Sequence, residues 1–163
     1  MGLKISGLDD INKKIKTLDK IQLIRELNNK QLTSDDLNIL GDLCLKKGDK
    51  KRAIECFYKA ASKISFSNTN RAIAIYKKIL NISSSDIPAY EGIINILSKS
   101  GLVAEQKKYL LSLAQLYQNT GDFKKANSIF RKIQELDPTN KAAEVFFSRG
   151  KTNATKNNPQ GID

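Results

Sequence analysis

Apolar residues recur at intervals of three and four along nearly the whole chain, the spacing of one face of an α-helix. Leu8, Ile11, Ile15 and Leu18 open such a stripe, and Ile21, Ile24 and Leu27 continue it beyond a capping Asp19. Nowhere does apolar-polar alternation last long enough to specify a half-buried strand. Polar and glycine-bearing breaks cut the pattern into pieces of similar length. Thr33 or Ser34 caps a helix ending near Lys47, where Gly48 supplies a left-handed stop and Asp49 the next cap. The second helix reaches Ile64, and Ser67-Asn68-Thr69-Asn70 opens a third that ends near Asn81. After Ser83-Ser84-Ser85-Asp86, Pro88 suits the first turn of a fourth helix, whose missing donor costs nothing there. Gly101 stops it. A fifth runs from Val103 to Asn119, Gly121-Asp122 repeats the stop-and-cap, and a sixth ends at Leu136-Asp137-Pro138. A seventh starts near Thr139 and ends at Gly150.

The pattern predicts an all-α chain in three parts: an N-terminal helical cap or extension over 1–32, seven short helices over 33–149, and a polar tail or linker without ordered structure over 150–163. Two helix pairs repeat one another. Leu37, Leu40-Gly41, Cys44, Gly48, Ala53 and Phe57 match Leu110, Leu113-Ala114, Tyr117, Gly121, Ala126 and Phe130, each pair 73 residues apart. The alanines let the two helices of a hairpin approach closely, the phenylalanines fill the space between them, and the glycines turn the chain. This constellation resembles the tetratricopeptide repeat (TPR), most fully in residues 107–140, which close with Asp137-Pro138-Thr139-Asn140. In style the array is similar to those of bacterial proteins. The 73-residue offset exceeds two whole repeats of about 34 by five. Ala72, Tyr76 and Ile79 imitate a second helix of a repeat, and Tyr90, Ile93, Ile94, Leu97 and Gly101 a first helix. The helices at Lys50–Ile64 and Val103–Asn119 must therefore each serve two hairpins.

The resemblance implies a TPR-like α-solenoid of antiparallel hairpins wound as a right-handed superhelix, with a concave groove that binds a protein or peptide. With alternate helices facing inward, the stripe opposite the packing face holds Asp35, Asn38, Asp42 and Leu45 on the first helix. It holds Arg71, Ile75 and Lys78 on the third, and Lys108, Ser112, Gln115 and Asn119 on the fifth. An extended segment or helix with a few acidic side chains suits this mixture. The clamp by which some TPR domains hold a chaperone's C-terminal carboxylate needs Asn and Lys on the first helix. Asp42 stands at one of the corresponding positions here and would repel that group.

Composition narrows the chemistry. The chain has 163 residues, no histidine and two cysteines. Without imidazole no Ser-His-Asp, Cys-His or His-bearing metal site can form. No phosphate loop, dinucleotide fingerprint or cysteine cluster is present, so neither enzyme activity nor a cofactor is expected. Cys44 and Cys56 read as small buried hydrophobes, and the absence of an apolar run as long as a membrane span points to a cytoplasmic protein. The net charge of +11 is spread over the body. Lys46, Lys47, Lys50, Lys51 and Arg52 nevertheless gather at one turn and Lys124-Lys125 at its equivalent, so binding of nucleic acid or another polyanion is the alternative function. Val145, Phe146 and Phe147 lack an obvious cover, which predicts self-association through a solenoid end unless the Leu8, Ile11 and Ile15 stripe folds over one.

Overall fold

The computed structural model describes residues 32–64 and 67–156, of which 150–156 are described by backbone alone. The expected N-terminal helices, with their Leu8, Ile11 and Ile15 stripe, lie outside the described residues, as does the tail beyond Lys156. Seven helices follow in order: α1 (Ser34–Lys46), α2 (Lys50–Ile64), α3 (Thr69–Ile82), α4 (Ile87–Lys99), α5 (Val103–Asn119), α6 (Phe123–Leu136) and α7 (Lys141–Lys156). No strand occurs among the described residues. This is an all-α helical-repeat fold.

Local chemistry starts each helix. Thr33 and Asp36 form a capping box on α1, each side chain accepting from the other's backbone N–H. Asp49, Asn68, Asp86, Asp122 and Asn140 each accept a backbone N–H three residues on, at 3.0–3.3 Å. Only α5 begins without a side-chain cap, behind Leu102. Gly48, Gly101 and Gly121 take φ of 79°, 68° and 79°, the left-handed stops that end α1, α4 and α5. Gly150 does not stop α7, which runs on to Lys156. An interior glycine costs a helix only about 1 kcal/mol, and no proline stands among the six residues that follow it in the helix.

The chain divides into two compact units, Met1–Ile82 and Ser83–Asp163. In the first, α2 packs against both α1 and α3. Its core is built from Leu37, Ala53, Phe57, Ala60, Ala61, Ala72, Ile75 and Ile79. In the second, α5 packs against both α4 and α6, and α7 against α6. Leu110, Ala114, Phe130, Ile133 and Ala143 form one cluster there, and Leu113, Tyr117 and Ala126 another. The double duty expected of the Lys50–Ile64 and Val103–Asn119 helices is thus what these contacts show. The apolar end of α7 is partly covered: Phe146 stacks on Phe130 at 4.3 Å between ring centroids, and Phe147 meets Phe146 edge-on at 5.3 Å. Of the three apolar residues, only Val145 is exposed, at 49%.

Equivalent positions in the two copies tie the hairpin by different bonds. In the first, the buried Ser34 hydroxyl donates to the Ala60 carbonyl at 2.9 Å. Seventy-three residues on, Lys107 Nζ reaches Asp137 Oδ2 at 2.8 Å, and the Thr139 hydroxyl donates to the same carboxylate at 3.0 Å. The Lys107 ammonium and the Thr139 hydroxyl hold the Asp137 carboxyl down at about 2. A depressed carboxyl stabilises the fold fully above the ordinary carboxylate range near 4 and loses that contribution as pH falls toward 2. Stability measured by denaturant at stepped pH should therefore fall between about pH 4 and pH 2. Asp137→Asn should lower stability at neutral pH and flatten that acid limb. An unchanged limb in the variant would assign the acid sensitivity to other carboxylates.

Candidate functional site

The nominated stripes on α1 and α3 face one another. Arg71 of α3 pairs with Asp35 of α1. One helical stretch further on, Lys78 Nζ donates to both oxygens of Asp42 at 2.8 Å and to Asn38 Oδ1 at 2.9 Å, with its ammonium 5.1 Å from the centre of the Phe57 ring. Each stripe places its charges seven residues apart, Asp35 with Asp42 and Arg71 with Lys78, so two turns of one helix register with two turns of the other. The charges nominated as partner anchors at Arg71 and Lys78 are therefore already matched inside the chain. Ile75 is a correction. It is only 3% exposed and belongs to the core.

Beyond Lys78 the two stripes part. Leu45 of α1 and Asn81 and Ile82 of α3 flank a cavity of about 250 Å³, whose remaining lining is Asp42, Lys78 and Lys50 from the start of α2. Leu45 is 38% exposed. Lys46, Lys47, Lys50 and Lys51 are all exposed on this turn, and among the described residues none has a carboxylate partner. The acid of the turn, Asp49, is engaged by Arg52 at 3.6 Å.

The stripe on α5 lies in the second unit. Lys108, Gln115 and Asn119 are exposed on one face of the helix, and among the described residues their side chains have no hydrogen-bond or ion-pair partner. Ser112 is half-buried and its hydroxyl donates back to the Lys108 carbonyl at 3.2 Å, so it offers little to a ligand. At the start of α6 the sequence places Phe123 where the first copy has Lys50, and leaves it 63% exposed. Sequence reasoning passed over Phe123. Its signal was the aromatic at a position filled by a lysine in the other copy.

Cys44 and Cys56 are half-buried rather than buried, and their thiols meet across the α1–α2 hairpin, where the second copy has Tyr117 and Ile129. Burial first, and the neighbouring Cys44 second, push the Cys56 thiol up to about 11. Only about one part in ten thousand is thiolate at neutral pH. Alkylation of Cys56 by iodoacetamide, followed by mass spectrometry, should be slower on the order of a hundredfold in the folded chain than in urea. Equal rates would place the thiol in water. Among the described residues no group of three or more Cys, Asp or Glu is placed to hold a metal ion, and no helix is long and apolar enough to cross a membrane.

Short helices in succession, most of them joined to the next by a tight turn bearing glycine or aspartate, define a helical-repeat protein. Comparison with known families matches residues 37–62 and 107–140 to the tetratricopeptide repeat, and the chain is a tetratricopeptide repeat protein. The matched segments are the α1–α2 and α5–α6 hairpins. No curated protein matches the chain.

Proposed function

We propose that the chain is a non-catalytic cytoplasmic adaptor that holds a protein partner on the exposed faces of its repeats. Tetratricopeptide repeats generally mediate protein–protein interaction. The observation that carries the reading is the contrast between stripes: those of α1 and α3 satisfy one another, whereas Lys108, Gln115 and Asn119 on α5 are left open. A cation and two amides on one helix face suit a partner's backbone and a carboxylate. The test is affinity capture with the intact chain beside a Lys108→Glu/Asn119→Asp variant, both changes being exposed and harmless to packing. Loss of the captured protein in the variant supports the reading; identical capture by both overturns it. The unpaired lysines of the α1–α2 turn favour a second reading, binding of nucleic acid. Recovery chiefly of nucleic acid, released steeply as salt rises, would put that reading in its place.

A further inference from the structure

The cavity at the open end of α1 and α3 combines an apolar wall with an unmatched cation. Leu45 and Ile82 supply apolar surface, and Asn81 adds an amide. Asp42 and Lys78 neutralise one another on the inner side at 2.8 Å. Lys50 is then the one lining residue whose charge is uncompensated, and Lys46, Lys47 and Lys51 extend that charge along the same turn. The first turn of α2 carries no acidic residue, although a helix N-terminus favours negative charge and is opposed by cations. Lys50 and Lys51 thus sit against their own helix dipole, and among the described residues the acid beside them, the N-cap Asp49, is engaged by Arg52 and its own helix start. An anion arriving from outside would relieve both.

We propose that this cavity is a binding site for an acidic peptide segment, taking one branched apolar side chain between Leu45 and Ile82 and a flanking carboxylate onto Lys50. The volume of about 250 Å³ accommodates a leucine-sized group. The apolar walls, an exposed Leu45 and a half-buried Ile82, also distinguish the ligand from a bare polyanion, which would make no use of them. The inference rests on the reading of the chain as a partner-binding protein and names the chemistry of one contact, at residues distinct from Lys108 and Asn119.

The experiment uses the full chain and a fluorescently labelled pentapeptide, a single leucine flanked on each side by two glutamates, with both ends blocked. Fluorescence anisotropy should show saturable binding at moderate salt. Replacing the leucine by serine, or the glutamates by glutamines, should each weaken binding by about tenfold or more. Lys50→Glu and Leu45→Ser should do the same while leaving the thermal melt in place, since both side chains are exposed. Lys124→Glu, at the equivalent turn of the second unit, should leave binding unchanged. Equal affinity for the leucine and serine peptides, or displacement by oligothymidylate with a steep salt dependence, overturns the proposal in favour of a polyanion surface. Unchanged binding in Lys50→Glu overturns it outright. Because the Lys108→Glu/Asn119→Asp variant keeps this cavity, partner capture lost there with peptide binding retained separates failure of one site from failure of the other.

Discussion

Replacing Phe57 with alanine lowers the stability of the chain by about 3–5 kcal/mol. Phe57 is fully buried in α2 and lies against Gly41 of α1 on one side and under the Lys78 ammonium on the other. Its removal leaves a cavity beside α1 and under the Lys78 ammonium, which pairs with Asp42. The same contact makes Gly41→Ala destabilising by about 1–3 kcal/mol, against the roughly 1 kcal/mol by which alanine is the better helix former. A Cβ at position 41 would stand 2.5 Å from Phe57 Cε1, 2.8 Å from Cδ1 and 2.9 Å from Cζ. The ring is fully buried, so it can retreat only by displacing its neighbours. The second copy makes the contrast, since it carries a buried alanine, Ala114, opposite Phe130, so Ala114→Gly should also destabilise. Thermal melts read all three, at roughly 2–4 °C for each kcal/mol. A Gly41→Ala chain more stable than the parent would show that helix propensity outweighs the clash. Gly41→Ala combined with Phe57→Leu should cost less than the sum of the two single changes, because the smaller side chain clears the new Cβ.

The helix boundaries were legible because what sets them is local. Gly48, Gly101 and Gly121 need positive φ, and Asp49, Asp86 and Asp122 accept the N–H three residues on, whatever packs around them. The end of α7 was less legible because a glycine inside a helix costs only about 1 kcal/mol and does not by itself stop it; the helix runs on to Lys156. The stripes of α1 and α3 were expected to face a partner in a groove; instead Arg71 and Lys78 pair with Asp35 and Asp42, and Ile75 is buried. Periodicity says which residues share a face; it is silent on what that face meets. Arg71, Ile75 and Lys78 look as open as Lys108, Gln115 and Asn119 when each helix is taken alone. The available signal was paired spacing, acids seven apart on one helix and bases seven apart on the other, which fits two stripes made for each other. Lys50 required more than sequence, because its importance comes from Asp49 being engaged by Arg52 and Asp42 by Lys78.

Ala126→Leu lowers stability by about 1–3 kcal/mol, the cost of overpacking a close helix contact. Ala126 is fully buried on the face of α6 that meets α5, in a cluster with Leu113 and Tyr117. Leu116, Ile129 and Phe146 close around the same cluster from its edges. Each way out for a larger side chain is occupied. Towards α5 it meets Leu113 and the Tyr117 ring, itself held by the Lys125 ammonium 5.3 Å from its centre. Along α6 it meets Phe130 one turn on, which is stacked on Phe146 and cannot move without disturbing α7. The hairpin must therefore spread or an off-rotamer leucine must be accommodated, and both cost free energy. Ser128→Leu is the control: it places the same side chain two residues along the same helix on an exposed face, where a change within about 0.5 kcal/mol is expected. A melt lowered by the first substitution and held by the second locates the close approach at the alanine of the repeat. Equal melts for both would mean that α5 and α6 stand far enough apart to admit a leucine, and that the small residue at this position of the second copy has no packing role.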